Sequence, residues 1–492
     1  MPKFLLGAAI LAVAIVLAGI NRGFDVSDEG LYVLLAHPFQ ENQGGIFNYD
    51  LFFKLLYEWS GIHFGIVGLR VLRLAFYALG AWALTSFYNS LNPQKAPFSK
   101  VYLLAFLGLL AGYGFLPASL SYNHLTVVLT CFWLALIAQP KWTWINSILI
   151  GLVLAVLVYV KVTTSILLGG ISLILVFWFQ KRPWYQLLAW VLPFFVLELT
   201  FHWTLGENAI SRLSEGIAIQ SSRGDYQFWI LTKHTLVGLF WSLMMFGAVW
   251  LIRKSFKNPF LQLAIVLPIF SFLFFKTKIT DEWNHFFLLL GAGIWAFTLN
   301  NLSPKSKRER RLPWIVLLIF LPFILHFGSN VYWLRIGIHY AVFWIIGIYL
   351  LMDNFPAKWK SRFGIGISLM TLLLVFNGLW WHPFQQKGLW NASENWEYLP
   401  HKSIKLFPSQ IDVLENLERK TGEEKGILAV YRISGIPYLL GKTISKNPGI
   451  WDRAQLEKFF PNGYSAGQIL YYPIDSLPEN FTVEPTLIYT FE

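Results

Sequence analysis

Charge is scarce in this chain, and cysteine is nearly absent. Only 13% of its 492 residues are Asp, Glu, Lys or Arg, against roughly 25% in soluble domains. With 55% hydrophobic residues and a mean hydropathy of +0.51, that shortage excludes an ordinary water-soluble globule. The single cysteine, Cys131, excludes an intramolecular disulfide, and inside an apolar run it reads as a small core residue. No GxGxxG or Walker loop occurs, so no nucleotide signature is present. Acids number 27 against 39 bases, for a net charge of +12. This excess does not point to nucleic acid, because many of the Lys and Arg lie in short connections between apolar runs, as the positive-inside rule predicts. What is abundant is aromatic: 23 Trp, 21 Tyr and 43 Phe. That number fits core stacking and the two membrane interfaces rather than any one site.

A membrane span needs about 20 mostly apolar residues. That measure gives roughly thirteen candidates, several of them short or separated by weak breaks, at about 4–20, 66–88, 101–116, 124–139, 143–160, 165–180, 186–205, 232–252, 259–275, 284–300, 313–329, 336–352 and 363–381. Phe4–Ile20 reads as a retained first span rather than a cleaved signal, because further spans follow it. At YVKVTTS (Tyr159–Ser165) one long or two short helices fit. The expected fold is mainly α, a polytopic membrane helical bundle of about 13 transmembrane helices. It carries a small extracytoplasmic α/β C-terminal domain.

Basic residues orient the bundle. With Lys3 in the cytoplasm, the connections NPQKAPFSK, QPKW, QKRPWY, RKSFKNP, LSPKSKRERRLP and DNFPAKWKSR fall inside, with Glu309 and Asp353 their only acids. Asp25, Asp28, Glu29, Glu41, Asp50, Glu58, Glu207, Glu215, Asp225, Asp281 and Glu282 fall outside. Residues 1–381 then form the membrane domain, with an external loop at 21–65. In that loop YDLFFKLLYEWSGIHFGI reads as an interfacial amphipathic helix. Residues 382–492 form the external soluble domain. IDVLENLERKTG reads as a helix ending at Gly422, GILAVYRI as a buried strand and WDRAQLEKFF as a further helix.

Carboxylates at a membrane rim are costly to desolvate and mark functional sites. Asp28 and Glu29 follow the first span directly, so they read as a general base or as a metal or acceptor ligand. The plain alternative is a solvated helix cap at Ser27 or Asp28. Arg70 and Arg73 lie three apart on one helix face, where arginine suits phosphate and snorkelling is the alternative. Lys161 offers a point charge between apolar segments. KTKITDEWNH gathers Lys276, Lys278, Asp281, Glu282 and His285. The last three would admit a divalent metal, although no HExxH-type spacing supports one. The run KSKRERR reads as a topology determinant that also attracts anionic membrane lipid.

A first span followed at once by DEGLY, an external amphipathic loop and an arginine opening the second span together resemble the GT-C membrane glycosyltransferases. Within them, the similarity is to the protein O-mannosyltransferase and lipid A aminoarabinose transferase branch. That family carries Asp-Glu, a small residue and an aromatic, matched here by Asp28, Glu29, Gly30 and Tyr32. Its Lys-Pro-Pro-Leu stretch is replaced by NYDLFFKLL, leaving Asp50 and Lys54 as loose counterparts. Its arginine matches Arg70 or Arg73, its lysine after the fifth span Lys161, and its later histidine His285. Where the family often places another acid, SYNHL supplies Asn123 and His124, so a second catalytic carboxylate has no counterpart.

The resemblance implies transfer of a sugar from a polyprenyl-phosphate donor to a hydroxyl on a lipid, glycan or protein. The reaction would take place on the outer side of a bacterial inner membrane, in building cell-envelope glycan. Asp28 and Glu29 would be catalytic, while Arg70, Arg73 and Lys161 would hold the donor phosphate. Tyr32, Asp50, Lys54, Asn123, His124, Asp281, Glu282 and His285 would line the substrate site. No cofactor is required by this chemistry. The competing class is a transporter or flippase of lipid-linked glycans. Internal repeats would favour it, and no charged pattern recurs between the halves. An assembly scaffold would rest on the 382–492 domain alone.

Overall fold

The computed structural model describes residues 2–92, 97–115, 117–140, 143–179, 184–221, 223–278, 285–299, 305–329, 333–383, 387–421, 426–464 and 469–481. Six helices among them are long and apolar enough to cross a membrane by length and composition: Gly65–Leu91, Trp144–Val176, Trp184–Leu205, Phe228–Ser255, Pro259–Thr277 and Ala357–Trp381. Six shorter apolar helices accompany them, at Lys3–Ala18, Phe98–Gly114, Tyr122–Ile137, His285–Leu299, Arg311–His326 and Ala341–Leu351.

In chain order the helices are α1 (Pro2–Ala18), α2 (Asp28–Leu35), α3 (Asp50–Ser60), α4 (Gly65–Leu91), α5 (Phe98–Leu110), α6 (Tyr122–Ile137) and α7 (Trp144–Leu173). They continue as α8 (Leu187–Leu205), α9 (Ala209–Gln220), α10 (Phe228–Ser255), α11 (Pro259–Thr277), α12 (His285–Leu299), α13 (Lys305–His326), α14 (Ile336–His339), α15 (Ala341–Leu351) and α16 (Ala357–Phe376). The C-terminal part adds α17 (Pro408–Thr421), α18 (Gly435–Leu439) and α19 (Arg453–Phe459).

The bundle core is aliphatic and aromatic, with Leu104, Trp133, Trp295 and Ile346 fully enclosed. The outward faces are apolar too. Phe260, Phe272 and Phe275 of α11 are exposed, a surface that suits lipid and not water. Between lipid-immersed helices, close packing replaces the hydrophobic drive, so small residues mark the tightest contacts. At Gly151 of α7 an added Cβ would lie 2.5 Å from the carbonyl oxygen of Trp190 in α8.

The ambiguity at Tyr159–Ser165 resolves into a reversal. Lys161 leaves helical geometry, at φ −158° and ψ 95°. The Ser165 hydroxyl then donates to the Leu154 carbonyl at 2.7 Å. A continuous helix would separate those residues by about 16 Å. The two arms of α7 therefore run nearly antiparallel, with Lys161 at the tip. At the opposite end of the bundle Asp353 is held by Arg311 Nη1 at 2.5 Å, Tyr88 at 3.2 Å and Asn92 at 3.3 Å.

After α1 the chain runs alongside the C-terminal part. Strands β1 (Glu394–Leu399) and β2 (Lys402–Leu406) form an antiparallel pair. Gly23 N–H donates to the Lys405 carbonyl and Lys405 N–H to the Asn21 carbonyl, each at 2.8 Å. Strands β3 (Gly426–Val430), β4 (Thr443–Ile444) and β5 (Ile469–Tyr471) form a parallel sheet in the order β4-β3-β5. Ile427, Leu428 and Val430 of β3 are buried, as expected for a central parallel strand. Helix α19 is capped by Asp452, whose carboxylate accepts from Gln455 N–H at 2.9 Å. Phe24, Leu34, Ile66 and Leu69 pack with Tyr398, Leu414 and Ile436 in one hydrophobic cluster. Loop 21–65 and the C-terminal strands and helices thus share a core.

Candidate active site

The sequence D-x-x-D-E-G folds into a tight turn because Asp25 caps it. One Asp25 oxygen accepts from Ser27 N–H at 3.0 Å, and the other accepts from Asp28 N–H at 2.9 Å and Glu29 N–H at 3.1 Å. These are the orphan donors at the start of α2. The cap is therefore Asp25, three residues before α2, and not the Ser27 or Asp28 side chain anticipated from sequence. Gly30 has a steric reason: its added Cβ would lie 2.2 Å from the backbone nitrogen of Gly435. Gly435 N–H in turn donates to the Val26 carbonyl at 2.7 Å. Helix α18 is thus docked backbone to backbone on the motif.

The two motif carboxylates have different surroundings. Glu29 is buried, and its Oε1 accepts from Arg70 Nε at 2.9 Å, Ser119 N–H at 3.0 Å and Ser119 Oγ at 2.5 Å. Its Oε2 accepts from Arg70 Nη2 at 2.9 Å and Asp25 N–H at 3.3 Å. Arg70 also donates to the Ile20, Arg22 and Gly23 carbonyls. All five guanidinium hydrogens are engaged, and no acceptor position on Glu29 is left over. Glu29, expected as catalytic, and Arg70, expected on phosphate, are thus bonded to each other. The pair is a buried strut joining α2, α4 and the end of α1.

Asp28 is partly open. Among the described residues its carboxylate has electrostatic neighbours, Arg335 and Arg432, but no hydrogen-bond partner. Burial raises its pKa, and the two arginines pull the other way. Asp25 is raised to about 7, first by burial and then by the charge of Asp28, against the backbone N–H groups that favour its anion. Tyr32 and Tyr122 stand beside Asp28, with ring centroids 6.0 Å apart, and Tyr122 bonds to the side chains of Asn123 and Ser329.

Arg73 lies deeper and is fully enclosed. Its Nη1 donates to the Pro117 carbonyl at 2.7 Å and its Nη2 to the Tyr77 hydroxyl at 3.2 Å. The guanidinium lies 3.6 Å above the Tyr113 ring centroid, a cation–π contact. His124 Nδ1 accepts from Ser121 N–H at 3.1 Å. Among the described residues, Arg73 Nε, His124 Nε2 and the Tyr113 hydroxyl are buried without a hydrogen-bond partner. The arginine Nε and the tyrosine hydroxyl each carry a hydrogen to donate. The His124 and His339 rings are 6.2 Å apart, and Arg73, Arg335 and Lys161 all lie within electrostatic range of His339. Lys161 Nζ donates to the Leu325 carbonyl at 2.6 Å. Arg335 Cζ sits 3.7 Å above the Phe115 ring centroid.

Other expected site residues lie elsewhere. Asp50 and Lys54 belong to a buried ion network: Lys54 Nζ is 3.3 Å from Asp50, and Arg212 Nη1 reaches the two Asp50 oxygens at 2.9 and 2.8 Å. Arg212 also pairs with Glu207. This network clamps α3 to α9, and the amphipathic helix has a charged buried face. His285 stacks on Phe274 at 4.6 Å and bonds to the Phe274 carbonyl at 3.0 Å; it is a helix-packing residue between α11 and α12. Asp281 and Glu282 fall outside the described residues. Among the described residues no group of three or more His, Cys, Asp or Glu is arranged to hold a metal ion. Arg335, His339, Tyr113 and Arg432 were not singled out from sequence. A histidine and an arginine in the short segment WLRIGIHY were the available signal for two of them.

No family model matches the chain, and no curated protein matches it. Among solved structures it is similar to the arabinofuranosyltransferase AftD from Mycobacteria, at 13% identity and a TM-score of 0.38 over 87% of this chain. The match spans only 29% of that longer protein. It is also similar to ArnT from Cupriavidus metallidurans in the apo state, at 14% identity and a TM-score of 0.39, over 95% of this chain and 89% of that one. At these TM-scores the likeness assigns neither chemistry nor residue roles.

Proposed function

We propose that the chain is a membrane glycosyltransferase that moves a sugar from a polyprenyl-phosphate donor to a hydroxyl acceptor at the outer face of a bundle of about thirteen spans. The observation that carries this reading is the pairing of an unbonded carboxylate, Asp28, with a buried set of donors that lack acceptors. Among the described residues Arg73 Nε–H and Tyr113 O–H are donors of that kind, and Lys161 and Arg335 add positive charge around the neighbouring His339. Buried donors without acceptors are expensive. An anion that only accepts, such as a phosphate, satisfies them.

The chemistry follows from that division. Asp28 takes the proton of the acceptor hydroxyl as its oxygen bonds to the anomeric carbon of the sugar. The bond from that carbon to the phosphate oxygen breaks, and its electron pair leaves with the polyprenyl phosphate. The leaving group departs as an anion, so it needs positive charge and not an acid. One displacement with one carboxylate base inverts the anomeric centre, unlike a two-carboxylate retaining site. Burial raises the Asp28 pKa, which makes its anion a stronger base.

The test is transfer from a polyprenyl-phosphate sugar by Arg73→Ala and Arg73→Lys, with melting temperatures measured alongside. Removing the guanidinium should cost about 2–4 kcal/mol of transition-state stabilisation, roughly 30- to 1000-fold in rate. Lysine should restore the rate only partly, since it keeps charge and loses the planar fork. Full activity in both variants would place the donor phosphate elsewhere.

A further inference from the structure

Two consecutive residues at the end of β3, Tyr431 and Arg432, have φ of 67° and 69°. That left-handed region is free of strain only for glycine. A side chain kept there needs a reason, and Tyr431 has one. Its ring is fully buried with Ile450, Phe459 and Phe481, its N–H donates to the Ile450 carbonyl at 2.9 Å, and its hydroxyl donates to the Ser476 carbonyl at 2.8 Å. Arg432 has none of these. It is exposed, and among the described residues it makes no hydrogen bond or ion pair. Its charge acts on Asp28. The segment that carries it is fixed on the DEG motif: Ser434 Oγ donates to the Pro448 carbonyl at 2.6 Å, and Gly435 meets Val26 and Gly30 through backbone contacts.

A strained backbone thus holds an unpartnered guanidinium beside the carboxylate that serves as base. We propose that Arg432 binds an anionic oxygen group, a phosphate or a carboxylate, carried by the acceptor next to the hydroxyl that Asp28 deprotonates. This rests on the transferase reading and adds the charge class of the acceptor to it. The C-terminal region then forms part of the acceptor site. A planar fork with five donors matches such a group in two-point geometry.

The experiment is calorimetric titration of the full-length protein in neutral detergent with sn-glycerol 1-phosphate, glucuronate and glycerol as probes. The wild type should bind at least one anionic probe, and glycerol not at all. Arg432→Ala should weaken that binding at least tenfold. Arg432→Gly should weaken it equally while raising the melting temperature, because it relieves the left-handed strain. A structural arginine would show the opposite, a lower melting temperature with binding unchanged. Binding equal in wild type and Arg432→Ala, or anionic probes no better than glycerol, overturns the proposal. So does loss of the Arg432-dependent binding in phosphatidylglycerol nanodiscs, which would make the group a bilayer headgroup. The readout needs no turnover: if Asp28→Asn retained full transfer, the base assignment would fall, while Arg432-dependent binding would still be decided on its own.

Discussion

Arg70 Nε and Nη2 each lie 2.9 Å from a different oxygen of Glu29, while Asp28, the preceding residue, has no hydrogen bond to its carboxylate among the described residues. Adjacent acids are thereby given separate tasks. Position N1 of α2 is half-buried, and position N2 is buried against the α4 arginine. The strut fixes the turn that carries Asp28.

Breaking this buried pair should therefore act on folding. Arg70→Ala leaves Glu29 buried and uncompensated, at a cost of about 3–5 kcal/mol. Glu29→Gln should be milder, because the amide keeps one acceptor. Thermal unfolding in detergent should show a lower melting temperature for both, and Arg70→Lys should not restore it. A wild-type melting temperature for Arg70→Ala, with only the donor KM raised, would return Arg70 to phosphate binding.

The acid side of the rate profile should lie above the ordinary carboxylate range. On the proposed mechanism Asp28 works ionised, and burial raises its pKa, so activity should be lost as pH falls through that raised value. An unperturbed aspartate, near 3.9, would still be charged at pH 5. The limb belongs to the Asp25–Asp28 pair, since each feels the other. Tyr32, Tyr122, Arg335 and Arg432 are the other charged or titratable groups facing Asp28. Arg335→Gln removes a cation that favours the anion, so it should move the limb to higher pH. A limb below pH 4, or one unmoved by Arg335→Gln, would contradict the assignment.

Orientation is tested by labelling. In a Cys131→Ser background, Ser409→Cys should react with an impermeant maleimide only from outside, and Ser255→Cys only from inside. Both positions are exposed. Labelling of the two from one side would break the topology drawn from the basic loops.

The helical architecture was legible because apolar length is a strong signal, and the strand GILAV and the two C-terminal helices were legible from periodicity and caps. The DEG motif was legible as a site, yet not its division of labour. Sequence cannot say which of two adjacent acids meets an arginine 41 or 42 residues later. Asp50 and Lys54 stood only as loose counterparts of a family stretch, and nothing local announces that they are buried. Their burial depends on Arg212, which lies 162 residues beyond Asp50. The reversal at Lys161 leaves no Pro or Gly in YVKVTTS, so the chain carried no breaker to announce it. Arg432 and Arg335 reach Asp28 only through docking of α18 and the α13–α15 connection, contacts that no local pattern encodes.

The central claim is that Asp28 is the base, and Asp28→Asn tests it most directly. The substitution keeps shape and removes charge at a half-buried position whose carboxylate has no hydrogen bond among the described residues. Transfer from a polyprenyl-phosphate sugar, measured in wild type and variant at matched membrane insertion and melting temperature, should fall by at least 100-fold, in line with the roughly 10²- to 10⁴-fold contribution of a positioned base. Near-normal product formation by Asp28→Asn would contradict the account.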